Sequence, residues 1–231
     1  MTVNSSPLPI PGPREDGRQR KARRTREALA AAALELVLRR GPDEVTVAAI
    51  ADRADVARRT FSRYFASKEE AALDFVREDG RRINALLRER PAAEPPLIAY
   101  RRAVGHWLTD RDTPASHHRP EIRALLARID SDPSLFAAYQ RIRVDAQEES
   151  VGIVAARLAV DPAHDPRPTV VVDAAAGVLT AAMRLWARHA PSGDHSRAVA
   201  DLAALVERSY DALTEEAAAA ADREALSARR K

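Results

Sequence analysis

At 231 residues the chain fits one or two domains with a proper buried core, and its lack of cysteine excludes a disulfide framework, a thiolate metal site and a Cys nucleophile. No apolar run approaches the ~20 residues that span a bilayer, and the first residues lack the apolar stretch of a signal peptide, so a soluble cytoplasmic protein is expected. The formal charge of +3 is uneven: residues 1–68 hold 14 Lys+Arg against 8 Asp+Glu, leaving 23 against 26, so only the first third is placed to meet a polyanion.

Residues 1–20 carry Pro7, Pro9, Pro11, Pro13, Gly12 and Gly17 without periodicity and are expected to form a disordered basic tail. The cluster Arg18, Arg20, Lys21, Arg23, Arg24 and Arg26 reads either as a solubilising tail or as an arm lying on phosphates or in a minor groove. A first helix is predicted over Thr25 to Arg40, with Leu29, Ala32, Ala33, Leu36 and Val37 on its apolar face. Gly41-Pro42 stops it.

Thr46 to Lys68 is the stretch that carries a function. Val47, Ile50, Ala51 and Ala54 recur at i, i+3, i+4, i+7, one stripe of a helix, and the Thr46 hydroxyl is placed to cap it. Asp55 interrupts the pattern, and Asp tolerates a left-handed turn. Val56 can pack under the turn. A second helix then puts Phe61, Tyr64 and Phe65 inward and Arg58, Arg59, Thr60, Ser62 and Arg63 outward. Two short helices with a buried seam and donors on the outer face are the layout of a helix-turn-helix.

The run from Thr25 to Lys68 resembles the DNA-binding domain of TetR-family transcriptional regulators. The resemblance rests on TREALAAAALELVLRRG, TVAAIADRADV, RRTFSRYF and ASKEE in register. Three positions depart: Asp55 stands where Gly is usual, Ala57 where Ser or Thr caps the second helix, and Ser62 where an aromatic is usual. Losing that cap costs about 1 kcal/mol. The resemblance implies that Arg58, Arg59 and Thr60 meet base edges, with Thr46, Ser62, Arg63, Tyr64 and Lys68 on or beside phosphates. It divides the chain into a helix-turn-helix domain over 21–68 and a ligand-binding and dimerisation domain over 69–231. It further implies homodimerisation through the last two long helices.

Ser67, with Glu70 three residues on, opens a fourth helix as a capping box, running to about Arg90. Pro91, Pro95 and Pro96 then break the chain. A fifth helix is predicted over Pro95 to Thr109, a loop over Asp110 to Pro120 and a sixth helix over Glu121 to Ile129. Asp132 and Pro133 start a seventh, reaching Val160 with Phe136, Tyr139, Val151, Val154 and Leu158 inward. The eighth, Thr169 to Ala190, is nearly apolar all round and must be buried on every side, by the core or by a partner subunit. The ninth spans Ser196 to Glu216, and the Ala-rich tail after it is expected to fray. The chain reads as all-α, with about nine helices.

No Gly-rich phosphate loop, HExxH or G-x-S-x-G occurs, so no enzyme, cofactor or metal is expected. His117, His118 and Glu121 sit in a Pro-bounded loop without a recognised ligand spacing, and His106, His164, His189 and His195 show no defensible pairing with an acid. The resemblance implies an effector pocket among the helices after residue 75. Candidate lining residues are Tyr100, His106, Trp107, Phe136, Tyr139, Met183 and Trp186, suited to a mostly apolar small molecule. The expected function is a ligand-responsive repressor that binds a near-palindromic double-stranded operator as a dimer. The rival is a small-molecule-binding helical dimer whose DNA-binding domain has decayed.

Overall fold

A computed structural model describes residues 17–189 and 195–228. It contains ten α-helices and, among the described residues, no strand. In chain order these are α1 (Gly17–Arg40), α2 (Val47–Arg53), α3 (Arg58–Phe61), α4 (Lys68–Ala72), α5 (Asp74–Glu89), α6 (Pro96–Thr109), α7 (Pro120–Ile129), α8 (Pro133–Leu158), α9 (Arg167–Arg188) and α10 (His195–Ala228). A single 3-10 turn, Ser116–His118, precedes α7.

The all-α reading holds, and several boundaries move. Helix α1 starts at Gly17, so residues 17–20 are helical rather than tail, while residues 1–16 lie outside the described residues. Nothing after Gly17 breaks a helix, and an Arg23–Glu27 ion pair at 2.9 Å supports the first turns at i, i+4. The predicted fourth helix is two rods. Leu73, at φ −98° and ψ 11°, ends α4 and precedes α5. Helix α10 continues to Ala228, through the tail expected to fray, because alanine is the strongest helix former.

Helix α9 corrects the expectation that no segment is apolar enough to cross a membrane: by length and composition its 22 residues are. Here it is a core helix, packed against α6, α7, α8 and α10 and burying Val172, Ala175, Val178, Ala182 and Trp186. The core covers only part of its surface, since Val170 and Leu185 are 62% and 45% exposed. Phe136, expected inward on α8, is 39% exposed.

One apolar core runs through the molecule. At one end α1 packs on α2 and α4 and reaches α7; in the middle α5 packs on α6 and α8. The α5–α8 crossing is close. A Cβ on Gly80 would stand 2.9 Å from the Ala146 Cβ, so only glycine fits there. One turn on, Asn84 donates to the Ala146 carbonyl at 3.2 Å and accepts from the Ser150 hydroxyl at 2.6 Å.

Candidate functional site

The α2–α3 unit is built as its residues dictate. The Thr46 hydroxyl accepts from the Ala49 N–H at 3.1 Å, capping α2. Asp55 takes φ 53°, the left-handed position. Its N–H donates to the Asp52 carbonyl at 3.1 Å, and the Val56 N–H donates to that of Ala51 at 3.0 Å. This is a Schellman ending with aspartate where glycine costs least. Ile50, Ala51, Phe61 and Phe65 form the buried seam, with the Phe61 and Phe65 rings 5.7 Å apart.

Helix α3 is shorter than the sequence implies. It has four residues, its N-cap Ala57 makes no side-chain cap bond, and the chain turns through residues 62–64 before α4. Its outer face is cationic. Arg58, Arg59, Ser62 and Arg63 are exposed, as is Thr46 beside them, while Thr60, Tyr64 and Lys68 are half-buried. Among the described residues Arg58 and Arg59 have no ion-pair or hydrogen-bond partner. Arg63 lies over the Tyr64 ring at 5.2 Å and donates to its hydroxyl at 3.2 Å. Lys68 is partly committed elsewhere, donating to the Val45 carbonyl at 3.0 Å and thereby pinning α4 to the loop before α2.

Two contacts depart from the sequence reading. Glu70 closes the capping box one residue early: its N–H donates to the Ser67 hydroxyl at 3.1 Å, but its carboxylate accepts from Ala66 at 2.9 Å. Arg26, grouped with the basic arm, turns inward. It grips the Asp74 carboxylate with Nε and Nη2, the shortest bond 2.5 Å, and donates to the Tyr64 carbonyl at 3.2 Å. Its guanidinium also lies 4.5 Å over the Phe65 ring. One side chain of α1 thus joins the end of the α3 turn to the first residue of α5.

Helix α5 carries that connection to a second feature, a cavity of about 80 Å³ among α5, α6, α7, α8 and α9. Of the candidate lining residues, Tyr100, Trp107, Tyr139 and Met183 border it. Three expected residues do not. His106 is exposed on the far side of α6. Phe136 lines a neighbouring recess, with Leu126, Tyr139, Thr180 and Met183 shared between the two. Trp186 lines a surface recess beneath Arg123, whose guanidinium stacks 4.5 Å from its ring.

The polar lining was missed: Asp79, Arg143, Gln147, Ser150 and Thr180. A signal existed, because Asp79 falls in the Phe75–Ile83 stripe at i+4 and Arg143 lies four residues after Tyr139. Asp79 accepts from Trp107 Nε1 at 3.1 Å, from the Ser116 N–H at 3.4 Å and from the Ser116 hydroxyl. Burial outweighs these bonds and pushes its carboxyl up to about 6. His117 is not a loop residue in water. It is fully buried, its ring edge-on to Trp107 and Trp186 at 5.3 and 6.3 Å. His164 does pair with an acid, Asp161 at 3.0 Å, and His195 lies outside the described side chains.

Residues 29–72 match the profile of bacterial regulatory proteins of the tetR family. Over 172 residues, 73% of this chain and 76% of the other, the chain is 37% identical to the HTH-type transcriptional regulator TcmR of Streptomyces glaucescens. Among solved structures it resembles a tetR-family transcriptional regulator from Streptomyces coelicolor, at 22% identity and TM-score 0.46 over 89% of each chain. It also resembles the fatty acid degradation regulator FadR of Bacillus halodurans, at 15% identity and TM-score 0.49 over 81% of this chain and 93% of the other. A helix-turn-helix with an open cationic face, set on an all-α body, defines a DNA-binding transcriptional regulator. The chain belongs to the tetR family of bacterial regulatory proteins.

Proposed function

We propose that the protein is a ligand-responsive repressor that acts in the cytoplasm and binds a near-palindromic operator as a homodimer. The observation that carries the DNA reading is the pair Arg58 and Arg59, exposed on α3 and without protein partners among the described residues. An arginine fork suits the O6 and N7 acceptors of guanine, and each such contact contributes ~1–3 kcal/mol of discrimination. Thr46, Ser62, Arg63, Tyr64 and Lys68 flank the pair and suit phosphates, which fix register without reading sequence. A four-residue recognition helix reaches few bases, so selectivity calls for two copies a helical turn apart, ~34–36 Å. The open stripe on α9, with Val170 and Leu185, supports an isologous contact made by the last two long helices. The cavity is the effector site. A ligand that widens it displaces α5, and through Asp74 and Arg26 the α3 turn.

A gel shift on the protein's own upstream DNA tests this. Arg59→Ala should lose the preference for that fragment over unrelated duplex. Lys68→Ala should weaken both fragments alike, since its contact is with the backbone. Equal behaviour of the two variants overturns the division of roles. The rival reading, a ligand-binding dimer without DNA activity, draws on the uncapped, one-turn α3. It is the outcome if wild-type protein retards no duplex from its home chromosome.

A further inference from the structure

We infer that the cavity takes an anion: an apolar molecule bearing one carboxylate or ionised hydroxyl, which Arg143 holds. The inference rests on the cavity being the effector site. Its walls are mainly apolar, from Phe75, Val76, Ile83, Trp107, Leu126 and Met183. Into this lining α8 places one guanidinium, half-buried at Arg143. Among the described residues Arg143 bonds only Gln140, from Nε to Oε1 at 3.3 Å, and pairs with no carboxylate. Three acids in or beside the surrounding helices are engaged elsewhere. Asp130 is held by Arg184 and Arg188 at 2.7 and 2.5 Å, Asp173 by Gln147 at 3.3 Å and Glu149 by Arg88 at 2.5 Å.

The cavity's one lining carboxylate does not neutralise Arg143 either. The charge acting on Asp79 is that of Arg82, and its oxygens are occupied by Trp107 and Ser116. Arg143 instead acts on the buried hydroxyls of Tyr100 and Tyr139, pulling both down against the rise that burial imposes. Ser150 and Thr180 lie beside those hydroxyls. The result is a cation flanked by hydroxyls at the edge of an apolar chamber. A half-buried guanidinium with unused donors attracts an anion, and its planar fork matches a carboxylate with two parallel bonds. The apolar walls supply the rest of the ligand's contacts mainly by dispersion. At about 80 Å³ the chamber is below the ~300 Å³ of a common ligand site, so binding must push its walls apart.

The test uses two probes that share one ring system, 2-naphthoate and 2-naphthylmethanol, titrated calorimetrically into the full-length protein. Wild type should bind the naphthoate about tenfold or more tightly than the alcohol. Arg143→Gln should erase that preference with alcohol affinity unchanged, and Arg143→Lys should retain part of it. In a Trp186→Phe background Trp107 is the sole tryptophan, and naphthoate should quench it. The inference fails if wild type shows no preference, if naphthoate neither binds nor quenches, or if Arg143→Gln keeps the preference. Naphthoate that binds through Arg143 yet leaves the gel shift unchanged supports the anion site and sinks the effector role. Intact DNA binding with no naphthoate binding sinks the anion site alone.

Discussion

Replacing Arg26 with alanine removes three contacts at once. The bidentate bond to Asp74 sits where the two side chains are 24% and 15% exposed. Breaking a buried pair costs ~3–5 kcal/mol, because one charge is left without its partner. Here the residual exposure and Arg77, whose Nε remains 4.0 Å from Asp74, reduce that to about 2 kcal/mol. The lost bond to the Tyr64 carbonyl adds ~0.5–1 kcal/mol. The lost stacking on Phe65 adds ~0.5 kcal/mol. The sum is about 3 kcal/mol, or a melting temperature lowered by about 6–12 °C for a chain of this size. A urea double-mutant cycle with Arg26→Ala and Asp74→Asn isolates the pair, and a coupling of about 1.5–2 kcal/mol is expected. Because Arg26 lies behind the proposed DNA-binding face, the same variant should also lose operator affinity through a misplaced α3 turn. A coupling below ~0.5 kcal/mol, with operator affinity unchanged, refutes the argument that this side chain joins α3 to α5.

Asp55→Gly should stabilise the protein by up to about 1 kcal/mol, since φ 53° suits glycine, and Ala57→Ser should add about 1 kcal/mol by capping α3; denaturant midpoints check both. Gly80→Ala should destabilise despite its better helix propensity, because two Cβ atoms cannot stand 2.9 Å apart; the clash costs ~1–3 kcal/mol against a gain of ~1, and a raised melting temperature would contradict the close crossing. Asp79 sets a pH dependence. Its carboxyl rises from 3.8 to about 6 on folding, so the folded state holds the proton more tightly. The contribution of Asp79 is therefore fully present below 3.8 and is lost, by about 3 kcal/mol, as pH rises through about 6. Asp79→Asn should flatten that slope; an unchanged slope would place the titration elsewhere.

The DNA-facing half was legible because its signals are local. Thr46, Asp55 and Ser67 act on backbone within a few residues, and the Phe61–Phe65 spacing fixes the seam. The break between α4 and α5 was not legible. Leu73 belongs to the apolar pattern, and no glycine or proline marks the change of direction. Arg26 was misread for a related reason: its partner Asp74 lies 48 residues away, beyond any sequence window. In the cavity, aromatic residues on inward stripes were found, but the stripe cannot say which inward residue faces a void. Trp186 and Tyr139 are both buried on the same grounds, and packing alone sends one to Arg123 and the other to the chamber. His117 reached the core because Ala115 to His118 folds inward as a 3-10 turn, a geometry that the surrounding prolines concealed.

Leu73 has a mechanical meaning. Two backbone bonds bracket it, Leu73 N–H to the Glu69 carbonyl at 3.0 Å and Val76 N–H to the Leu73 carbonyl at 2.9 Å, and its side chain is sealed in the core. In the proposed dimer, displacement of α5 would then reach α4 as a change of bearing rather than as disorder.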